Sequence, residues 1–173
     1  MKLDLKHKTC YVVELRRKNN LGMKTLRIYI ENSVIGGYFD EEFKEFTQKL
    51  FEKFNNGIYK PIISSHIIAE LENGAPEHVI NLLDKIDYEK YIINDEMEKL
   101  AEKYMDQNIV SKNYYGDALH IAVATVIGVD VLVSWNFKHI VNLNKIKMFN
   151  SVNLREGYNI LEIRSPREVI ENE

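Results

Sequence analysis

The sequence predicts an α/β protein, a three-layer α/β/α sandwich with a mainly parallel sheet. Strand-like and helix-like segments alternate along most of the chain, which is the order that parallel sheets require. The run "VDVLVSW" (129–135) is apolar at nearly every position, as in a strand buried on both faces. With 173 residues, 45% of them hydrophobic, the chain has enough material for one compact domain with a real core.

Residues 1–22 read differently from the rest, with a basic and amide-rich run "ELRRKNNLG"; they form an N-terminal extension, or supply one extra strand at Tyr11–Leu15. The predicted domain covers 23–173. "TLRIYI" (25–30) is the first strand. Phe43, Phe46, Leu50, Phe51 and Phe54 recur at helical spacing and predict an amphipathic helix over 40–55. Asn-Gly and Pro punctuate "NNGIYKPIIS", which leaves a second strand near 60–63. "SSHIIAELEN" opens on a capping residue and reads as a helix ended by Gly74, and a further helix over 76–86 starts at Pro76. "KYIIN" is the third strand and 95–108 an amphipathic helix. "NYYGDALHIAVATVIG" is apolar on almost every side, hence a buried helix stopped by Gly128, and it leads into the strand 129–135. "FKHIVNLNKIKMFNSVNLREG" predicts one helix and "NILEI" the last strand. "SPREVIENE" is a capping box, with Ser165 at the cap and Glu168 three residues on.

Composition narrows the function classes. A formal net charge of −3 and a pI near 6.0 exclude a global polyanion-binding field, so a nucleic-acid role needs a local basic patch. A single cysteine, Cys10, excludes an intrachain disulfide framework and suits a reducing compartment. The histidines His7, His66, His78, His120 and His139 show no zinc-ligand spacing with it. The most apolar stretch is interrupted by His120 and Asp130, so no membrane span is expected, and the start lacks a leader-like apolar core. The expectation is a cytoplasmic protein.

In open α/β sheets, ligands bind beyond the carboxyl ends of the strands. Glu31 stands at the end of the first strand, Glu70 in the helix after the second, Asp117 at the start of the buried helix, and Asn136 just past "VLVS". Three carboxylates and an amide form an oxygen-only set suited to Mg²⁺ or Mn²⁺. Each residue also has a plainer role. Asp117 favours a helix dipole, Glu70 belongs on a solvated face, Asn32 and Ser33 are ordinary caps, and Asn136 is a turn residue. His66 and Glu70, four apart, read as a surface pair; His120 reads as a hydrogen-bonded core histidine, and Trp135 as packing at the sheet edge. Glu31 is the hardest to explain away, because a charge at a half-desolvated strand end needs a partner. No dinucleotide, P-loop or serine-hydrolase fingerprint is present.

The segments "IYIENSVIGGYFDEEF", "ISSHIIAELENGAPE", "DALHIAVATVIGVDVLVSWNFKHIVN" and "FNSVNLREGYNILEIRSPREVI" resemble, in order, those of PIN-domain nucleases. The resemblance spans about Met23 to Ile170 and is nearest to the prokaryotic branch related to the toxin ribonucleases of toxin–antitoxin modules. It implies a PIN-like fold and a metal-dependent ribonuclease acting on single-stranded RNA through Mg²⁺ or Mn²⁺. It also implies homodimerisation and, for a toxin, a small antitoxin partner. The family's acids fall on Glu31, Glu70 and Asp117, its hydroxyl on Ser33, and its fourth acidic position on Asn136. Lys138 and His139 are candidate phosphate contacts, and Lys145, Lys147 and Arg155 extend a local basic track. Two departures stand out. Asn136 is neutral, and the first acid is Glu instead of Asp, which carries the carboxylate about 1.5 Å further from the backbone. A catalytically weakened module that binds RNA or a protein partner is the alternative.

Overall fold

The computed structural model describes residues 24–171, and the expectations for residues 1–22 lie outside them. Five strands form one all-parallel sheet: β1 (Leu26–Ile30), β2 (Tyr59–Ser64), β3 (Glu89–Tyr91), β4 (Val131–Val133) and β5 (Ile163–Arg164), in the order β3-β2-β1-β4-β5. The helices are α1 (Asn32–Gly37), α2 (Lys44–Asn55), α3 (Ser65–Gly74), α4 (Glu77–Ile80), α5 (Asp95–Asp106), α6 (Tyr115–Ile127), α7 (Leu143–Arg155) and α8 (Pro166–Glu171). α2 packs on α8, and α5 packs on α6 and α7. The expected three-layer α/β/α arrangement is thus present. Among the described residues no helix is long and apolar enough to cross a membrane.

The first described strand lies in the middle of the sheet. β1 pairs with β2 on one side and β4 on the other, so Ile28, Tyr29 and Ile30 are fully buried. β2 and β3 extend the sheet one way. The chain then returns through α5 and α6 to place β4 on the opposite side of β1. The strand order therefore reverses between β1 and β4, and the crevice beyond their carboxyl ends is the switch point where such sheets bind ligands.

Local chemistry accounts for most element boundaries. α2 buries Thr47, Leu50, Phe51 and Phe54 along one stripe. An Asp40 turn, in which the Asp40 side chain accepts the Glu42 N–H at 2.8 Å, occupies the start of the expected 40–55 helix. α6 buries every residue from Ala118 to Thr125, as expected of a helix covered on all sides. It stops where Gly128 adopts φ 66°, a left-handed conformation that costs glycine nothing. The capping box at α8 is formed: Ser165 N donates to Glu168 Oε2 at 2.8 Å, and Glu168 N to Ser165 Oγ at 3.3 Å.

The last strand, expected over 159–163, is the short Ile163–Arg164, and four other expected elements are also shorter or shifted, three of them for reasons that polar side chains supply. The third strand ends at Tyr91, because Ile93 N donates to Ser65 Oγ at 3.1 Å and draws the chain off the ladder. β4 ends at Val133, because Trp135 N donates to Ser33 Oγ at 2.8 Å and not to a strand neighbour. The helix expected from Phe137 begins only at Leu143. Asn136 Oδ1 accepts the His139 N–H at 3.0 Å and Asn142 Oδ1 the Lys145 N–H at 3.2 Å, so each asparagine starts its own turn. The helix expected over 76–86 is split into α4 and a 3₁₀ turn at Leu83–Lys85, with Pro76 at the cap position.

Asp130 ties the start of β1 to the turn before β4. Its carboxylate accepts the Arg27 N–H at 2.8 Å and the Lys24 ammonium at 2.7 Å, while Asp130 N donates to Arg27 O at 2.9 Å. Partial burial raises its proton affinity, but these donors outweigh that and hold its carboxyl below the ordinary value. Asp130→Ala is expected to lower unfolding free energy by about 1–2 kcal/mol near neutral pH, measured by denaturant titration. A depressed folded-state pKa stabilises above the unfolded value of about 4 and is lost as pH falls through the folded one. The gap between wild type and variant should therefore narrow below pH 4.

Candidate functional site

The crevice at the β1–β4 switch point collects the residues that the sequence singles out. β1 delivers Glu31, which is only 5% exposed. Glu31 is itself the cap of α1, a role expected for Asn32 and Ser33, which instead lie inside that helix. Its Oε2 accepts the Ser33 N–H at 3.0 Å, and its Oε1 accepts the Ser33 hydroxyl. The longer glutamate side chain thus folds back onto its own helix. A carboxylate has about four acceptor sites, so capping leaves others open.

Ser33 does more than expected of a cap. While donating to Glu31, its Oγ accepts the Trp135 N–H at 2.8 Å, so one hydroxyl links the ends of β1 and β4. Trp135 is seated by its indole N–H on Thr47 Oγ1 at 2.9 Å and by stacking on Phe43 at 4.7 Å, which accords with a packing role. Gly37 is required beneath it: a Cβ there would lie 2.9 Å from Trp135 Cδ1.

α3 delivers Glu70. Its Oε2 accepts the Asn32 amide and lies 3.1 Å from His120 Nε2; its Oε1 lies 3.4 Å from His66 Nε2. Burial pushes the Glu70 carboxyl up, but the neighbouring His120 and His66 together outweigh it and hold it well below the usual range. Glu70 is therefore ionised and partnered, unlike a solvated surface glutamate. His120 is buried and bonded at both nitrogens, with Nδ1 2.9 Å from the Tyr29 hydroxyl, as expected of a core histidine.

α6 delivers Asp117 in its first turn. Burial raises its proton affinity, His120 lowers it, and the Glu31 and Glu70 charges raise it further; the net shift is upward. The three acids thus share one electrostatic neighbourhood. Among the described residues, no lysine or arginine forms an ion pair with any of them.

Asn136 faces Asp117 with its nitrogen. Nδ2 donates to Asp117 Oδ1 at 3.1 Å while the amide oxygen accepts the His139 N–H at 3.0 Å, so Asn136 orients Asp117. His139, expected as a phosphate contact, is buried beneath Tyr114 at a ring separation of 3.8 Å, and neither ring nitrogen is open to solvent. Lys138 is exposed, its ammonium 5.5 Å from the Tyr114 ring centre. Lys145 spends its ammonium on Ile109 O at 2.5 Å, and Lys147 and Arg155 line a separate hollow of ≈ 250 Å³.

The group of side chains spaced to share a single ion is not the three acids but His66, Glu70 and His120, whose donor atoms lie within 4.8 Å of one another and could hold a metal ion. Sequence spacing did not reveal it, because His120 lies in a different helix. The His66–Glu70 interval of four residues was the only trace. No protein-family model and no curated protein matches the chain.

Ser33→Ala removes the shared hydroxyl and leaves Trp135 N–H and a Glu31 oxygen without their partner. A loss of about 1–3 kcal/mol in stability is expected from chemical denaturation.

Proposed function

We propose that this protein is a metal-dependent ribonuclease hydrolysing phosphodiester bonds of single-stranded RNA, in keeping with its resemblance to PIN-domain nucleases. The observation that carries the reading is the meeting of three carboxylates from three different elements at the switch-point crevice, with no lysine or arginine paired to them among the described residues. Carboxylates without a lysine or arginine partner suit a hard cation. Carboxylate oxygens such as those of Glu31, Glu70 and Asp117 are the donors Mg²⁺ and Mn²⁺ prefer, and Mg²⁺ commonly keeps several waters while taking one or two carboxylates directly. When bound, such an ion activates water and offsets the charge that develops on phosphate.

The protein's own groups do the positioning. Ser33 holds Glu31, Asn136 holds Asp117, and Asn32 with His120 holds Glu70. These outer contacts fix each carboxylate's direction, which sets affinity as much as the ligands themselves. Lys138, exposed beyond β4, is available to an RNA phosphate. The same resemblance extends the proposal to a cytoplasmic toxin of a toxin–antitoxin module, acting as a homodimer and held by a small antitoxin protein.

A second reading has an observation in its favour. Glu31 is engaged as a helix cap and Asn136 is a neutral donor, and both features suit a PIN-like module that binds RNA or a protein without cleaving it. Calorimetric titration of Mg²⁺ and Mn²⁺ separates the two. The nuclease reading expects binding by wild type, loss of binding in Asp117→Asn, and parallel loss of Mn²⁺-supported cleavage of single-stranded RNA. Binding seen only after Glu31→Asp selects the weakened module. Absence of binding in wild type and in Glu31→Asp overturns the metal assignment.

A further inference from the structure

Beside the acids, two imidazoles converge on Glu70 from two helices. His66 and Glu70 lie one turn apart on the same face of α3, and His120 reaches them from α6. Nε2 of His66 lies 3.4 Å from Glu70 Oε1, and Nε2 of His120 3.1 Å from Glu70 Oε2. Ligand bonds to zinc of about 2.0–2.2 Å put two donors of a tetrahedral centre about 3.3–3.6 Å apart. Each imidazole stands at about that distance from one Glu70 oxygen, and the three donor atoms lie within 4.8 Å of one another, so a small closure brings them onto one ion.

Three further features point the same way. Nδ1 of His120 is held at 2.9 Å by the Tyr29 hydroxyl, which is itself 2.9 Å from Ser64 Oγ. A ligating histidine is ordinarily fixed like this, by a hydrogen bond at the nitrogen remote from the metal. The second feature is His66 Nε2, which is screened from solvent and has no hydrogen-bond partner, its approach to Glu70 being off-angle. A buried nitrogen left in that state is costly unless something else occupies it. Third, residue 116 is glycine: a Cβ there would come 3.3 Å from both Glu70 Oε1 and His66 Nε2. The backbone of α6 therefore leaves space beside two of the three donors.

We propose that His66, Glu70 and His120 form a binding site for a d-block divalent cation, with Zn²⁺ strongly preferred over Mg²⁺. Two imidazoles and one carboxylate, with a fourth position left to water, are a zinc donor set, whereas Mg²⁺ demands oxygen ligands in an octahedron. The site stands on this geometry alone and does not depend on whether the crevice cleaves RNA. It shares Glu70 with the acids of the crevice, so it marks Glu70 as a carboxylate that a softer cation can claim.

The test is titration of Zn²⁺ by calorimetry, and of Co²⁺ by visible absorption, into the full chain carrying Cys10→Ser to remove the thiol as a rival ligand. The expected result is one Zn²⁺ per chain, retained in millimolar Mg²⁺, and Co²⁺ bands of a four-coordinate centre. His66→Ala, at a partly exposed position, should weaken Zn²⁺ binding by about tenfold or more. Gly116→Ala should weaken it by crowding the donors, with far-ultraviolet circular dichroism confirming that both variants fold. Asp117→Asn should retain it. Failure of Zn²⁺ to bind, binding indifferent to His66→Ala, or binding lost in Asp117→Asn would each overturn the site, the last by placing the ion among the acids.

Discussion

The Ser33 hydroxyl accepts the Trp135 N–H and donates to Glu31, and through it the ends of β1 and β4 are held together where the strand order reverses. A parallel sheet supplies hydrogen bonds along its strands but none beyond them. At a switch point the two chains diverge to opposite sides, and their first free N–H and C=O groups need partners in a partly desolvated crevice. Ser33 satisfies one such donor and at the same time orients the nearest carboxylate. The crevice is thus closed at its base by a bond that neither strand could make alone. Trp135 is anchored in turn by Thr47 and by Phe43, so the floor of the site is fastened to α2 as well as to the sheet.

Glu31 illustrates how one side chain can serve both fold and site. A carboxylate buried to 95% at a strand end would be costly if unpartnered, and the start of α1 provides its partner in the Ser33 N–H. Aspartate at this position has one methylene fewer. It would reach the same cap from a different angle and project differently into the crevice. The longer side chain curls back to the cap, which offsets its extra length. Capping and cation binding use different lone pairs of the same group, so the local geometry allows both.

Much of the fold was legible because its signals are strong and local. The apolar run of β4, the all-round burial of α6 and its Gly128 stop, and the Ser165–Glu168 box each follow from a few neighbouring residues. The boundaries that moved were governed by side chain to backbone bonds across the fold. Ser65 draws Ile93 off β3, Ser33 draws Trp135 off β4, and Asn136 and Asn142 cut one expected helix into a turn and α7. Periodicity cannot register these, since it describes which face is apolar and not which amide finds a better acceptor. The acids of the crevice were legible for a topological reason: strand ends and the starts of following helices face one rim. The His66–Glu70–His120 group was not, because it arises only when α3 and α6 meet, 50 residues apart in the chain at Glu70 and His120.

The charges around Glu70 and Asp117 complete the physical picture. Both carboxylates are partly buried, yet they are driven in opposite directions. The two histidines pull Glu70 well below the ordinary range, while burial and the neighbouring acids push Asp117 above it. Two like groups held apart in this way divide the work of a site, one remaining ionised and the other more ready to take a proton or a cation. Among the described residues no lysine or arginine pairs with them, and protons on the imidazoles or an ion from solution would supply neutralising charge. A metal on the histidines and a metal on the acids would both relieve the same crowding of negative charge, but through different donor atoms. Imidazole nitrogen favours the d-block ions and carboxylate oxygen the hard ones. On the two proposals above, Glu70 is the carboxylate that both cations would claim, and which ion holds it would determine how much of the acidic cluster remains for the other.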